Sequence, residues 1–486
     1  MLTRGLARVL SRMCQFTAAT LMISGLVGLA YGEPVWGYYA AVAAAALTAS
    51  LGFELVGQRA PGSQPRLTRR ESFLAVVLSW VVMIFFGALP FWLSGAMPLF
   101  ADAMFESASG YTTTGATILG DIEALPHAHL FQRSLAHWVG GMGIIVLSVA
   151  ILPELAVGGM QLFTAESTGI STDKLAPRIV STARRLWWVY ASMTGVLVVL
   201  LLFGGMNVFD AVTHAFGTLA TGGFSTRNAS IGAFDSLYIE AVITAFMIGA
   251  GVSFALQYRL YWRRNPGPLL TSREVRLYLG IFVSFSLLIA IWLVVQGGYT
   301  SFGSALRDSV FQTAAIITTT GYGTANFDAW PSFCRYLLVA LMFLGGCAGS
   351  TAGGVKVIRL LVVLKHAMLE LRKLVHPTIV QPVMIGDNVV PQATIQAILG
   401  FFLLYISTIG LGTALVLATG VDLVTGVTAV VSAMNSIGPG LGLVGPAENY
   451  SHMPTMCKWV LSACMLVGRL EIYTVIVLFT AAFWKH

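Results

Sequence analysis

Long apolar stretches alternate with short polar ones along nearly the whole chain of 486 residues. Ten stretches have the length and composition of bilayer spans, near 14–31, 36–55, 73–95, 130–152, 186–205, 237–258, 277–296, 335–364, 394–419 and 457–483. A spanning helix needs about 20 such residues. The first two form a hairpin, residues 1–71. The remainder divides into four units, 72–183, 184–273, 274–391 and 392–486, the third carrying a cytoplasmic helix after its last span. Each unit reads as an apolar helix, a short amphipathic helix, a Gly/Thr loop and a second apolar helix. Repeats of this kind outrank local assignments in deciding a fold. The pattern predicts an all-α polytopic membrane protein with four pseudo-repeated helix–loop–helix units and a leading hairpin. No polar stretch is long enough for a separate soluble domain.

Composition agrees: 56% of residues are apolar and 10% charged, against roughly 25% charged in soluble domains. The net charge of +7 would ordinarily raise nucleic acid as a partner, but its placement argues against that. Alternating the spans puts 22 of the 28 Lys and Arg on one side, in the runs Arg4–Arg12, Arg59–Arg70, Lys174–Arg185, Arg259–Arg276 and Lys356–Lys373, and at Lys485. Arg66 and Lys174 belong to this set. Arg133, Arg227, Arg307, Arg335 and Lys458 fall on the other side. This asymmetry marks the first side, with both termini, as cytoplasmic. The five cysteines show no metal or redox spacing and read as buried free thiols. Arg4, Arg8 and Arg12 before an apolar run resemble a secretory signal; a retained first helix is the expectation.

Four short patterns recur between the paired spans: Thr113-Thr114-Gly115, Ala220-Thr221-Gly222, Thr319-Thr320-Gly321 and Ser436-Ile437-Gly438 after Asn435. Their glycines are 107, 99 and 117 residues apart. The third continues as Thr320-Gly321-Tyr322-Gly323, close to the TVGYG filter of potassium channels. Irregular backbone at membrane depth is tolerated only where it lines a polar cavity. Ile437 has no side-chain oxygen, so ligands common to all four copies must be backbone carbonyls. Such carbonyls can replace the water shell of K⁺. Asp102, Asp210, Asp308 and Asp422 precede the glycines by 13, 12, 13 and 16 residues. Each is placed to N-cap the short helix leading into its loop. Glu106, His214 and Gln312 hold comparable positions in their helices; a packing or solvated role fits them better than catalysis. Arg133, Arg335 and Lys458 open three closing helices and read as interfacial anchors. Pro439 makes the fourth copy the most rigid.

These motifs resemble the superfamily of Trk, Ktr and HKT potassium transporters. The leading hairpin, orientation and length make the chain most similar to the bacterial TrkH/TrkG membrane subunits, over essentially its full length. The resemblance implies a pseudo-fourfold pore in each subunit and a homodimer in the bacterial inner membrane, in contact with membrane lipid. It also implies a cytosolic nucleotide-binding regulatory subunit of the TrkA type. Some plant relatives carry serine in place of the first filter glycine and prefer Na⁺. Gly115 therefore favours K⁺ and Rb⁺.

The third closing span is interrupted by Gly345-Gly346-Cys347-Ala348-Gly349-Ser350-Thr351-Ala352-Gly353-Gly354. Each helical glycine costs about 1 kcal/mol against Ala, so this segment does not stay helical. A kink relieving packing is one reading; the resemblance implies an intramembrane gate. Arg469 is the one base well inside an apolar span, and such residues usually face a cavity or partner. Glu471, two positions on, points in another direction and is not its expected partner. The resemblance places Arg469 beneath the filter; a purely structural salt bridge is the other reading. The competing function class is an alternating-access symporter coupled to H⁺ or Na⁺, although its usual inverted repeats are missing. An enzyme lacks support: there is no HExxH and no paired catalytic carboxylates within a span.

Overall fold

The computed structural model describes residues 3–59, 67–150, 175–386 and 388–485. Arg66 and residues 151–174, on which the expected cytoplasmic loop of the first unit and Lys174 fall, lie outside the described residues. The described chain is mostly helical. Helix α1 (Arg4–Ala30) starts at Thr3, whose hydroxyl accepts a hydrogen bond from the Leu6 amide. It turns at Tyr31 and Gly32 into α2 (Trp36–Arg59). Small residues allow the two to pack closely, burying Cys14, Ala18, Leu21, Tyr39, Val42 and Ala46.

Helix α3 (Arg69–Leu93) begins with a reciprocal cap between Thr68 and Glu71. Short helix α4 (Phe100–Tyr111) and α5 (His127–Ala150) follow. The same order recurs in α6 (Leu175–Phe203), short α7 (Val208–Leu219) and the pair α8 (Leu237–Ala250) and α9 (Phe254–Tyr261). The next set is α10 (Arg273–Val295), short α11 (Phe302–Ile317), α12 (Ser332–Met342) and, after a loop, α13 (Val357–Val375). A two-stranded hairpin, β1 (Met384–Ile385) and β2 (Asn388–Val389), leads into α14 (Gln392–Leu417). Short α15 (Leu423–Asn435), α16 (Thr455–Arg469), α17 (Ile472–Ile476) and a last short helix, Ala481–Trp484, close the chain. At 1.5 Å per residue, the 12 residues of α4 or α7 reach only about 18 Å. That is well short of a hydrocarbon core about 30 Å thick.

Among the described residues, six helices are long and apolar enough to cross a membrane, or eight if two bent pairs each count as one. The bent pairs correct two expected continuous spans. The stretch near 237–258 breaks by 109° between α8 and α9, and the one near 457–483 breaks by 115° after Arg469. Gly251 caps the end of α8 and Ser253 precedes α9, while Leu470 caps the end of α16 and Glu471, at φ +65°, precedes α17. Broken ends leave backbone groups that need partners, and the loop between α12 and α13 supplies some of them. Large apolar residues such as Val199, Phe203, Val283, Ile291 and Leu403 remain exposed on the long helices, as a lipid-facing surface requires. All five cysteines are buried and free.

Candidate ion pathway

The four short helices end at one place. The C-caps of α4, α7 and α11 are Thr112, Ala220 and Thr318; α15 ends at Ser436. After each helix comes one non-glycine residue in the left-handed region, Thr113, Thr221, Thr319 or Ser436, with φ of 53°, 53°, 57° and 56°. Two residues later comes a left-handed glycine: Gly115, Gly223, Gly321 or Gly438. Such non-glycine conformations are costly and persist only where surroundings enforce them.

The spacing also corrects the register of the second copy. Sequence similarity aligns Gly222, but Gly223 occupies the equivalent backbone position, and Gly222 falls where Thr114, Thr320 and Ile437 stand. Counted to Gly223, Asp210 is 13 residues ahead, as Asp102 is of Gly115 and Asp308 of Gly321. Two adjacent glycines hide this in the sequence.

The four segments adjoin in cyclic order. A Cβ on Gly115 would lie 2.2 Å from the Gly222 carbonyl oxygen, and one on Gly223 would lie 1.9 Å from that of Thr320. A Cβ on Gly321 would lie 1.8 Å from the Ile437 oxygen, and one on Gly438 would lie 2.9 Å from the Thr114 oxygen. Each glycine thus abuts the next unit, and the fourth returns to the first. One hollow of about 90 Å³ is lined by Gly115, Gly223, Gly321 and Gly438 together. The hydroxyls of Thr113 and Ser436 are buried without a hydrogen-bond partner. Helix C-termini carry partial negative charge, and all four short helices end against this ring.

The loop joining α12 to α13 packs against the ring through Thr319. The Gly353 amide donates to the Thr319 hydroxyl at 2.6 Å. Thr351, fully buried, donates its hydroxyl to the carbonyls of Leu219 (3.0 Å) and Ala250 (3.3 Å). Gly345 and Val355 close the loop's base, the Gly345 amide donating to the Val355 carbonyl at 2.9 Å. Gly346 lies against Gly251. The Cys347 amide donates to the Gly251 carbonyl (2.8 Å), and the Gly349 carbonyl accepts from the Phe254 amide (3.0 Å). The Ser350 hydroxyl donates back to Cys347, and Gly354 turns the chain at φ +65°. These bonds satisfy the broken end of α8. Arg469 donates to the Thr351 carbonyl at 2.8 Å and the Gly140 carbonyl at 3.2 Å. It links the loop to the fourth and first units at once. Glu471 pairs instead with Arg359 of α13, which stacks on Phe401.

Comparison with known proteins decides the family. A family profile described as "TrkH: Cation transport protein" matches residues 40–486. The "Trk system potassium uptake protein TrkH" of Escherichia coli K12 is 40% identical over 485 residues, covering 99% of each chain. The chain belongs to the TrkH family of cation transport proteins. The TrkG protein of the same organism is 34% identical, covering 86% of each chain. The crystal structure of "the Potassium Transporter TrkH from Vibrio parahaemolyticus" aligns with a TM-score of 0.91 at 37% identity, covering 99% of each chain. This is a family of transporters, not of enzymes.

Around the ring, this TrkH-family chain departs from several sequence expectations. Only Asp422 is an N-cap, accepting from the Thr425 amide. Asp102 and Asp210 sit inside the first turn and bind Lys458 (2.7 Å) and Arg227 (2.7 Å); Asp308 lies deeper and accepts from the Tyr299 hydroxyl. Asn207 and Ser301 cap α7 and α11 in their place. Arg133 and Lys458 are not interfacial anchors. Arg133 is 2% exposed, bonded to Glu106 at 2.8 Å and to the Ser225 carbonyl at 3.1 Å, with its guanidinium 4.0 Å from the Phe224 ring centre. Lys458 is 3% exposed. Burying these charges is tolerable because each meets an opposite charge and further hydrogen bonds.

Glu106, His214 and Gln312 share a structural task. Glu106 accepts from the Ile118 amide and the Thr117 hydroxyl, and His214 bonds the Ser225 hydroxyl at 2.8 Å. Gln312, with its amide oriented to satisfy its neighbours, accepts from Thr324 and Ala325. Each holds the strand leaving the ring. Tyr450 does the same for the fourth unit by donating to the Gly438 carbonyl at 2.7 Å; no sequence signal marked it.

Proposed function

We propose that this chain carries K⁺ across the bacterial inner membrane through a channel-like pore. Its selectivity filter is the ring at Gly115, Gly223, Gly321 and Gly438. The observation that carries the reading is closure of four backbone segments on one another, each with the same pair of left-handed residues. Carbonyls of residues 113–115, 221–223, 319–321 and 436–438 would replace the ion's water shell, and the helix ends would favour a cation. Among the described residues no cluster of His, Cys, Asp or Glu side chains could hold an ion instead. The ion is cargo; no cofactor enters the mechanism.

The loop from Gly345 to Gly354 is the gate. It bonds to all the other units, directly or through Arg469, and Arg469 holds it shut. The charge asymmetry of the loops puts both termini in the cytoplasm. A second copy of the chain and a cytosolic nucleotide-binding subunit of the TrkA type would complete the system; that relatives are named as parts of a Trk system supports a regulatory partner.

The test is uptake of radiolabelled Rb⁺ into liposomes, with and without an imposed proton gradient. Passive, saturable Rb⁺ and K⁺ entry that excludes Na⁺ and Li⁺ supports the pore. Uptake that requires an H⁺ or Na⁺ gradient supports the symporter, which the two bent helices would also suit. Shortening the 345–354 loop should raise Rb⁺ entry without changing ion preference; loss of entry together with loss of folding would make the loop a structural kink.

A further inference from the structure

Arg4, Arg8 and Arg12 follow one another at four-residue spacing on α1, and all three are exposed. With Phe53, Glu54 and Gly57 of α2 they line a groove of about 170 Å³ at the hairpin's open end. Among the described residues no carboxylate pairs with any of the three; Arg12 reaches only the Gln15 side chain, at 3.0 Å. Among the described residues Glu54 is the one acid on the wall. It is already occupied by the Ser11 hydroxyl (3.0 Å) and the Gln15 amide (3.5 Å). Three bases facing one acid leave the groove positive.

A topology signal alone would explain basic residues here, but not what continues above them. The face of α1 that carries the arginines continues through Phe16, Ala19, Ile23 and Leu26, at spacings of four, three, four and three from Arg12. Phe16, Ile23 and Leu26 are 36%, 47% and 57% exposed. On α2, Leu47, Leu51 and Leu55 are exposed as well. From Phe16 to Leu26 the stripe is about 15 Å long at 1.5 Å per residue. That is half of a hydrocarbon core about 30 Å thick, the depth of one leaflet.

We infer that this groove is a binding site for the phosphate headgroup of an anionic phospholipid in the cytoplasmic leaflet, with an acyl chain along the α1 stripe. Guanidinium groups are suited to phosphate because their planar donors engage two oxygens at once, and basic pockets between membrane helices favour such headgroups. The assignment to that leaflet rests on the orientation proposed above; the site itself does not.

The full-length protein, purified in detergent and offered equimolar phosphatidylglycerol and phosphatidylcholine of the same chain length, tests this by native mass spectrometry. The expectation is retained phosphatidylglycerol, weakened about fivefold per arginine neutralised and on the order of a hundredfold in the triple R4Q/R8Q/R12Q variant. The R4K/R8K/R12K variant keeps the charge but loses the two-oxygen fit, so its preference should fall between those of the wild type and the triple Gln variant. The control is R263Q/R264Q, which removes two exposed charges on the same side outside the groove. Equal losses in the two Gln variants would mean bulk surface charge and overturn the proposal, as would no preference in the wild type. Displacement of the lipid by millimolar inorganic phosphate would make a free phosphate the ligand and equally overturn it. Rb⁺ flux through the triple variant in phosphatidylcholine vesicles reports folding. Lost lipid with intact flux sinks only the lipid site when seen in the wild type, and retained lipid without flux sinks only the transport reading.

Discussion

Replacing Arg469 by Gln should open the pathway. Arg469 is 3% exposed and donates to two carbonyls, Thr351 of the loop and Gly140 of the opposite wall. Hydrogen bonds to a charged group contribute about 1.5–3 kcal/mol each, so the pair holds the loop by about 3–6 kcal/mol. Gln can keep one neutral bond, about 1 kcal/mol. The net loss is then about 2–5 kcal/mol before the cost of burying the guanidinium is removed. That cost is several kcal/mol in proteins and offsets part of the loss, so the lower end is the working figure. At 1.4 kcal/mol per factor of ten, about 2 kcal/mol moves the closed-to-open ratio roughly thirtyfold. Removing a fixed positive charge from beside a passing cation acts in the same direction: at about 8 Å and an effective dielectric near 20 the repulsion is about 2 kcal/mol. Rb⁺ flux per folded protein should therefore rise at least tenfold, with ion preference intact. The assay pairs liposome flux with the melting temperature of the same preparation. Unchanged flux in a well-folded R469Q protein would remove Arg469 from the gate. A large fall in melting temperature without a rise in flux would make it a structural tie.

Three further outcomes follow from the geometry. Gly115→Ser places a side chain where a Cβ already meets the Gly222 carbonyl at 2.2 Å, so the second strand must shift and Na⁺ permeability should rise; reversal potentials in mixed K⁺/Na⁺ gradients measure it, and an unchanged K⁺ preference refutes it. Arg133→Met leaves Glu106 buried without its cation and should cost about 3–5 kcal/mol of stability, read as a lower denaturation midpoint; adding Glu106→Gln should recover part of it. Asp121, in the exposed loop after the first ring segment, is held below the ordinary carboxylate range first by the Asn228 side chain, at 3.0 Å. Its contribution is present above about pH 4 and is lost as pH falls through the depressed value; Asp121→Asn should remove that acid-side step in melting temperature and leave neutral-pH flux alone.

The order of apolar and polar stretches, the side on which bases accumulate and the four Gly/Thr loops are all local in the chain. Hydropathy, charge and backbone permissiveness act residue by residue, so they are legible without a fold. The short helices α4, α7, α11 and α15 were legible for the same reason, since about 12–16 residues cannot cross a bilayer. Which glycine of Gly222 and Gly223 enters the ring was not, because both permit positive φ and only the neighbouring Thr320 carbonyl selects Gly223. The partners of buried charges were equally hidden. Lys458 meets Asp102 across 356 positions of chain, and Arg359 meets Glu471 across 112. A lysine at a helix start looks like an interfacial anchor until packing withdraws it from water. At that point an opposite charge or well-placed acceptors within bonding distance must make burial tolerable, and tertiary structure alone decides where those partners lie.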